Sequence, residues 1–291
     1  MAPNARNHDG SPVPGGEFAF SWSDFHKIAA LVHGEAGIVL VESKANLVYS
    51  RLAKRLRAIG LRSFRDYCAL VESQDGVDER QALIAAMTTN VTKFFREPHH
   101  FEHLSKNVFP GLAAAARRGE RVRIWSAACS SGEEPFSIAL ALLSFMPDAG
   151  DHDVLILATD IDPNMIERGQ TASYPLARLD DIPKTMRNSC IEFDTPASRF
   201  RFASKARDLI RFRELNLLRS WPLKASFQVI FCRNVMIYFD QPTQDGIWRR
   251  FAAHMQPGAH LYIGHSERIA TEVLPFSVAG QTAYRFTGGK R

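Results

Sequence analysis

Cysteine is scarce: Cys68, Cys129, Cys190 and Cys232 are the only four in 291 residues, and none forms a C-x-x-C pair. That excludes a redox dithiol or a zinc-ribbon spacing. Nothing points to an oxidising compartment, so the four read as free thiols of a cytoplasmic protein. No run of about 18 apolar residues occurs, so no membrane-spanning helix is expected. The polar opening residues lack the apolar core of a signal peptide. Neither charge dominates, with 36 Lys and Arg against 31 Asp and Glu, a net charge of +5 and a pI near 9.1. So mild an excess fits an acidic partner and fits a solvated surface equally well. What is present is ordinary globular material, 45% hydrophobic and 23% charged, enough for one or two domains with cores of their own.

Along the chain, residues 1–17 read as a disordered tail. Residues 18–88 carry helical signals only. Ser23 or Asp24 can cap a helix through Phe25, Ile28 and Val32, which Gly34 and Gly37 interrupt. Lys44 to Ile59 has helical spacing and a stop at Gly60. A stripe from Phe64 to Val71 and a helix over Asp78–Met87 follow. After residue 88 the character changes. Val122–Trp125, Val154–Ala158, Phe227–Phe231 and Ala259–Ile263 are β-rich runs. Helical patterns at Pro135–Leu143, Pro163–Gly169 and Gln241–Met255 alternate with them. Nearly continuous apolar strands alternating with helices predict an α/β fold with a doubly wound parallel sheet. The stretch of about 174–208 breaks the rhythm. Its short candidate strands, Ile191–Phe193 and Phe200–Phe202, predict a partly antiparallel insertion.

Three strings follow strands, on the edge where open α/β sheets bind ligands. In the first, RIWSAACSSGEEP from Arg123, small residues lead into a helix N-terminus, which favours close backbone approach to a ligand. Gly132 is its only glycine, which excludes a dinucleotide fingerprint. Glu133 and Glu134 would repel a pyrophosphate and suit a cationic ligand; a simple capped turn is the alternative. In the second, ATDID, Asp160 can accept ribose hydroxyls, whereas Asp162, directly before Pro163, reads as a helix cap. In the third, FCRNVMIYFD, Arg233, Asn234 and Tyr238 bring polar groups to an apolar run. A fourth string, TNVTKFFREP, lies at the joint of the two regions. Its Phe94 and Phe95 read as core anchors.

Together with IGHSE, these strings resemble the CheR-type chemotaxis receptor methyltransferases over roughly residues 20–286. The resemblance implies a small all-helical domain over 18–88 and a linker over 89–98 that lines the cofactor site. A class I, Rossmann-like methyltransferase domain with a small inserted β-subdomain then covers 99–291. The cofactor implied is S-adenosylmethionine, with S-adenosylhomocysteine as product. Asn90, Thr92, Arg96, Glu134, Asp160, Asn216, Leu217, Arg233 and Asn234 match the family's cofactor-binding residues. Arg96 also resembles the group beside the methyl donor and incoming carboxylate, and Tyr238 a wall of the acceptor site; these two are the expected catalytic residues. The implied activity is methylation of glutamate carboxylates on chemoreceptor cytoplasmic domains, with no metal, no nucleic acid and no membrane insertion, by a monomer. No glycine occurs between Tyr174 and Asn216, which argues against the glycine-containing loop that docks a receptor tail peptide in some members.

The basic residues Arg51, Lys54, Arg55 and Arg57 predict a receptor-docking helix face, with a merely solvated face as the alternative. Two rival functions remain. A nucleic-acid or amine methyltransferase commonly carries a D/N-P-P-Y-type motif where this chain reads RNVMIY. A non-catalytic module would keep the fold and only sense the cofactor.

Overall fold

The computed structural model describes residues 10–187 and 190–288. Residues 1–9, most of the expected disordered tail, lie outside the described residues. The chain divides into two units, one reaching to Thr89 and including Tyr238–Asp240, the other holding the rest.

The first unit is built from four helices, Trp22–Ala36, Ala45–Ile59, Phe64–Glu72 and Val77–Met87. Their apolar stripes meet in a core of Phe25, Ile28, Val32, Val48, Leu52, Leu56, Phe64, Tyr67, Val71 and Leu83. The first helix starts earlier than the sequence suggests. Ser21, not Ser23 or Asp24, is its cap, and Asp24 closes a capping box by accepting the Ser21 amide at 3.0 Å. Gly34 does not interrupt it; Gly37, at φ 69°, ends it in the left-handed conformation that glycine adopts without strain.

The predicted docking face needs correction here. Arg51 is spent on the end of the helix Val77–Met87, donating to the carbonyls of Ala86, Met87 and Thr88 at 2.9–3.1 Å. Arg55 forks onto Glu79 at 3.1 and 2.6 Å, and Tyr67 Oη donates to the same carboxylate at 2.9 Å. Of the four basic residues, Lys54 and Arg57 are the exposed ones.

In the second unit the strands are β1 (Val122–Ala127), β2 (Val154–Asp160), β3 (Ser173–Pro175), β4 (Ile191–Asp194), β5 (Arg199–Phe202), β6 (Ile210–Glu214), β7 (Phe227–Cys232), β8 (Met255–Ile263), β9 (Phe276–Gly280) and β10 (Ala283–Phe286). Seven form one sheet in the order β6-β2-β1-β7-β8-β10-β9. The neighbours from β6 to β8 are parallel, and β10 runs antiparallel to both β8 and β9. The doubly wound parallel core is therefore present, with an antiparallel hairpin added at one edge. β6, β9, β10 and the helical stretch Pro98–Arg117, interrupted by a π-turn at Leu104–Val108, were not anticipated.

The insertion is a three-stranded antiparallel sheet, β3-β5-β4. Aromatic rings knit it to the main body. Phe202 stacks on Phe136 with centroids 4.2 Å apart, and Phe94 packs edge-on to Tyr174 at 5.0 Å and Phe202 at 5.5 Å. Phe94 and Phe95 are both buried anchors, as expected. Among the described residues no disulfide joins the four buried cysteines, and no helix is long and apolar enough to cross a membrane.

Candidate active site

The carboxyl ends of β1, β2 and β7 lie side by side because the strands pair in register, Ala127 beside Thr159 and Cys232. Sequence alone dictates what gathers there. After β1 the chain must turn sharply into the helix Glu133–Phe145. Ala128, Ser130 and Gly132 all adopt positive φ to do so. At Gly132 a Cβ would stand 2.8 Å from Tyr174 Oη and 3.0 Å from Gly169 Cα, so no other side chain fits. Phe95, Glu97 and Asn234 also have positive φ. Such costly backbone in non-glycine residues concentrates at functional sites.

Asp160 ends β2 and is buried. Its carboxylate accepts the amides of Ser130 at 2.7 Å and Asp162 at 3.0 Å. Burial pushes its pKa up to about 6, against the pull of those amides. The Ile161 amide adds a further, weaker pull, which still leaves a share of a carboxylate's roughly four lone-pair sites open. Asp162 caps the helix Pro163–Thr171 through the Asn164 amide at 3.0 Å, the role expected of it. Its second oxygen takes Asn90 Nδ2 at 3.0 Å, and Ser130 Oγ donates to the Asn90 carbonyl at 3.3 Å. The start of the linker is thus tied to the ends of β1 and β2.

Glu134, expected to suit a cationic ligand, already has protein partners. It accepts Ser126 Oγ at 2.6 Å and pairs with Arg233 Nε at 2.7 Å. Only 3% of the Arg233 side chain is exposed. Its Nη1 donates to the Arg96 carbonyl at 2.5 Å and lies 3.3 Å from His100 Nδ1 and 3.5 Å from a Glu97 oxygen. Burial, then the Arg233 charge, drive the His100 pKa down to about 3, so this imidazole is neutral. Burial acts to raise the Glu97 pKa, but hydrogen bonds from His265 and the Arg233 charge outweigh it and hold the carboxyl below its ordinary value. Arg233 therefore braces the far end of the linker, where Arg96 turns its own Nη1 to the Val91 carbonyl at 3.0 Å. Thr92 lies half-buried between these ties.

Beyond β6, Asn216 closes a local turn by accepting the Leu218 amide at 2.8 Å. Arg250 holds this turn from the helix Gln241–Ala253, donating to the carbonyls of Leu217 at 2.8 Å and of Arg219. Tyr238 groups with the helical unit, its carbonyl accepting the Val39 amide at 2.9 Å. Ser126, Glu97, His100, Arg250 and Glu267 escaped the sequence reading. Glu267 stood in the IGHSE string with no role attached to it. Glu97, His99 and His100 offer atoms within 4.8 Å of one another, but the guanidinium beside His100 opposes a cation there. A polar cavity of about 630 Å³ opens at the opposite edge, floored by the starts of β1, β2 and β6. Its Arg123 is already paired with Asp153 at 2.5 Å, and it lies away from the ligand edge of such sheets.

A mostly parallel sheet whose carboxyl edge sets buried acids behind a small-residue turn is that of a class I S-adenosylmethionine-dependent methyltransferase. Two family descriptions match: "CheR methyltransferase, all-alpha domain" over residues 23–88 and "CheR methyltransferase, SAM binding domain" over 90–285. The chain is 50% identical over 260 residues to a probable chemotaxis protein methyltransferase of Rhizobium etli, covering 88% of this chain and 97% of the relative. It is 39% identical over 269 residues to the chemotaxis protein methyltransferase of Escherichia coli, covering 91% of each, and 38% identical over 275 residues to that of Salmonella typhimurium, covering 94% and 93%. The chain belongs to the CheR methyltransferase family, and S-adenosylmethionine is its cofactor.

Proposed function

We propose that the chain methylates glutamate side-chain carboxylates on chemoreceptor cytoplasmic segments, giving methyl esters and S-adenosylhomocysteine. The observation that carries this reading is the match to chemotaxis protein methyltransferases over nearly the whole length of both partners. The donor set fits the cofactor. Asp160 has lone pairs available for hydroxyls, and the turn from Ala128 to Gly132 presents close backbone. In this reading Asp160 takes the ribose, Asn216 and Leu217 flank the adenine, and Asn90, Thr92, Glu134, Arg233 and Asn234 complete the pocket. When bound, S-adenosylmethionine supplies a methyl group already activated by its sulfonium.

The acceptor needs no general base, because a glutamate carboxylate, with a reference pKa of about 4.3, is ionised at neutral pH. The work left to the protein is alignment and removal of water. Arg96 orients the acceptor carboxylate by charge-assisted hydrogen bonds. Too tight a grip would stabilise the ground state and slow transfer. Tyr238 shapes the acceptor wall and moves no proton. The enzyme acts as a cytoplasmic monomer. Docking of an acidic receptor helix falls to the exposed Lys54 and to Arg57, whose surface pair with Glu17 at 3.0 Å is solvent-exposed, since Arg51 and Arg55 are committed internally. The glycine-free insertion argues against capture of a tail peptide.

The test is transfer of labelled methyl to a purified receptor fragment, followed by alkali. Base-labile, volatile label is expected. Base-stable label would move the acceptor to an amine, and no label despite cofactor binding would favour a sensing role.

A further inference from the structure

The strands β7 and β8 end level with each other, Cys232 beside Ile263. The two segments that follow, Arg233–Met236 and Gly264–Glu267, therefore leave the sheet as neighbours. Between them sits one carboxylate. Glu267 is 3% exposed. Its Oε1 accepts the amides of both Val235 and Met236 at 2.9 Å, and its Oε2 accepts the amide of Gly264 at 2.5 Å. Its own amide donates back to the Gly264 carbonyl at 2.9 Å. Burial pushes the Glu267 pKa up, against the pull of these backbone N–H donors, which approach the carboxyl from both segments.

The clamp acts on a residue with left-handed backbone. Asn234 has φ 59°, a region that asparagine enters more readily than other non-glycine side chains but that its neighbours still have to select. The bonds to Val235 and Met236 fix the backbone just after it. Gly264 fixes it from the other side: a Cβ there would stand 2.6 Å from Asn234 Nδ2, 2.9 Å from Asn234 N and 2.9 Å from Glu267 Oε2. The glycine is thus required by close approach, and the carboxylate keeps the two segments pressed together.

We infer that Glu267 is a positioning residue of the cofactor site, holding Asn234 in its left-handed conformation by clamping the segment after β7 to the segment after β8. The inference rests on the proposed assignment of Asn234 to that site. Glu267→Gln keeps the shape but turns an amide NH2 toward a backbone N–H, so one side of the clamp opens.

The experiment is a double-mutant cycle on the full chain, with Glu267→Gln, Asn234→Ala and the pair together. S-adenosylhomocysteine affinity is measured by calorimetry, and melting temperature alongside. Glu267→Gln is expected to weaken binding about ten- to a hundredfold, the loss that goes with a hydrogen bond to a charged group. Because it acts through Asn234, the double variant should bind no more weakly than Asn234→Ala alone. A Glu267→Gln protein that melts lower yet binds within twofold of the parent, while Asn234→Ala binds poorly, overturns the positioning role and leaves the site assignment standing. An Asn234→Ala protein with unchanged affinity overturns the site assignment itself, and the positioning role with it. Strictly additive losses also overturn it. If Glu267→Gln fails to fold, Gly264→Ala carries the same cycle by pushing the same segments apart.

Discussion

Glu134→Gln is the sharpest probe of the buried ion pair at the carboxyl edge of the sheet. The glutamine preserves shape and can still accept the Ser126 hydroxyl, now 2.6 Å from the carboxylate. On the other side, its NH2 faces Arg233 Nε across the present 2.7 Å contact. The guanidinium, 3% exposed, loses its nearest counter-charge and cannot reach water. Breaking a buried pair from one side costs about 3–5 kcal/mol. Two features soften this. Glu97 approaches Nη1 at 3.5 Å, and Arg233 lies over the Phe231 ring with its centroid 5.5 Å away. The lower end, about 3 kcal/mol, is therefore expected, a change of roughly a hundredfold in the unfolding constant. Urea unfolding followed by tryptophan fluorescence reads it, since Trp125 is buried on β1. Because Nη1 also grips the Arg96 carbonyl, cofactor affinity should fall in the folded protein as well. A cost under about 1 kcal/mol, the range of an exposed pair, would refute the reasoning that this is a buried charge clamp.

If Asp160 takes the ribose as proposed, it sets a pH dependence. Its carboxyl titrates near 6, and hydroxyl donors need it ionised, so cofactor affinity should be flat above pH 6 and fall about tenfold per unit below it; Asp160→Asn should bind weakly with no such slope. The contributions to stability have opposite signs. The raised pKa of Asp160 gives stability at low pH that is lost as pH rises through about 6, whereas the pKa of His100, lowered to about 3, gives stability that is lost as pH falls below its ordinary range. Glu79→Leu should destabilise the helical unit by about 2–4 kcal/mol, since it strands the Tyr67 hydroxyl and Arg55, and adding Tyr67→Phe should recover about 1 kcal/mol in urea unfolding. Arg51→Glu with Arg55→Glu should lower the melting temperature, whereas Lys54→Glu with Arg57→Glu should change stability by under about 0.5 kcal/mol and weaken transfer to a receptor fragment. Tyr238→Phe should lower kcat without changing cofactor affinity, and unchanged kinetics would exclude a role for its hydroxyl.

The parallel centre of the sheet was legible because β1, β2 and β7 are largely buried and so read as nearly continuous apolar runs, broken only by residues such as Arg123 and Gln228. β6 was not. In Ile210–Glu214, Ile210 and Phe212 point inward while Arg211, Arg213 and Glu214 are exposed, the alternation of an edge strand, and it merged with the basic insertion before it. The helical stretch after the linker opens on Pro98 and is broken by a π-turn, so its period is blurred. Charge on the second helix was visible, but its partners were not. Arg51 meets the carbonyl end of another helix and Arg55 a buried acid, and neither contact leaves a mark in local spacing. Glu267 escaped for the same reason, since backbone amides from two separate loops have no sequence signature.

The insertion is fastened at the turn between β1 and the helix Glu133–Phe145, the turn proposed to meet the cofactor. Tyr174, on β3, donates its hydroxyl to the Ser131 carbonyl at 2.8 Å, one residue before Gly132. Phe202 stacks on the helix that this turn begins. Mechanically the small sheet is a lever arm without a hinge. Any coupling between its outer strand, where Phe193 is 61% exposed, and the Gly132 turn would by thermodynamic linkage run both ways. If a ligand at the Gly132 turn stiffens the arm, a partner that bends the arm retunes affinity at the turn by the same factor.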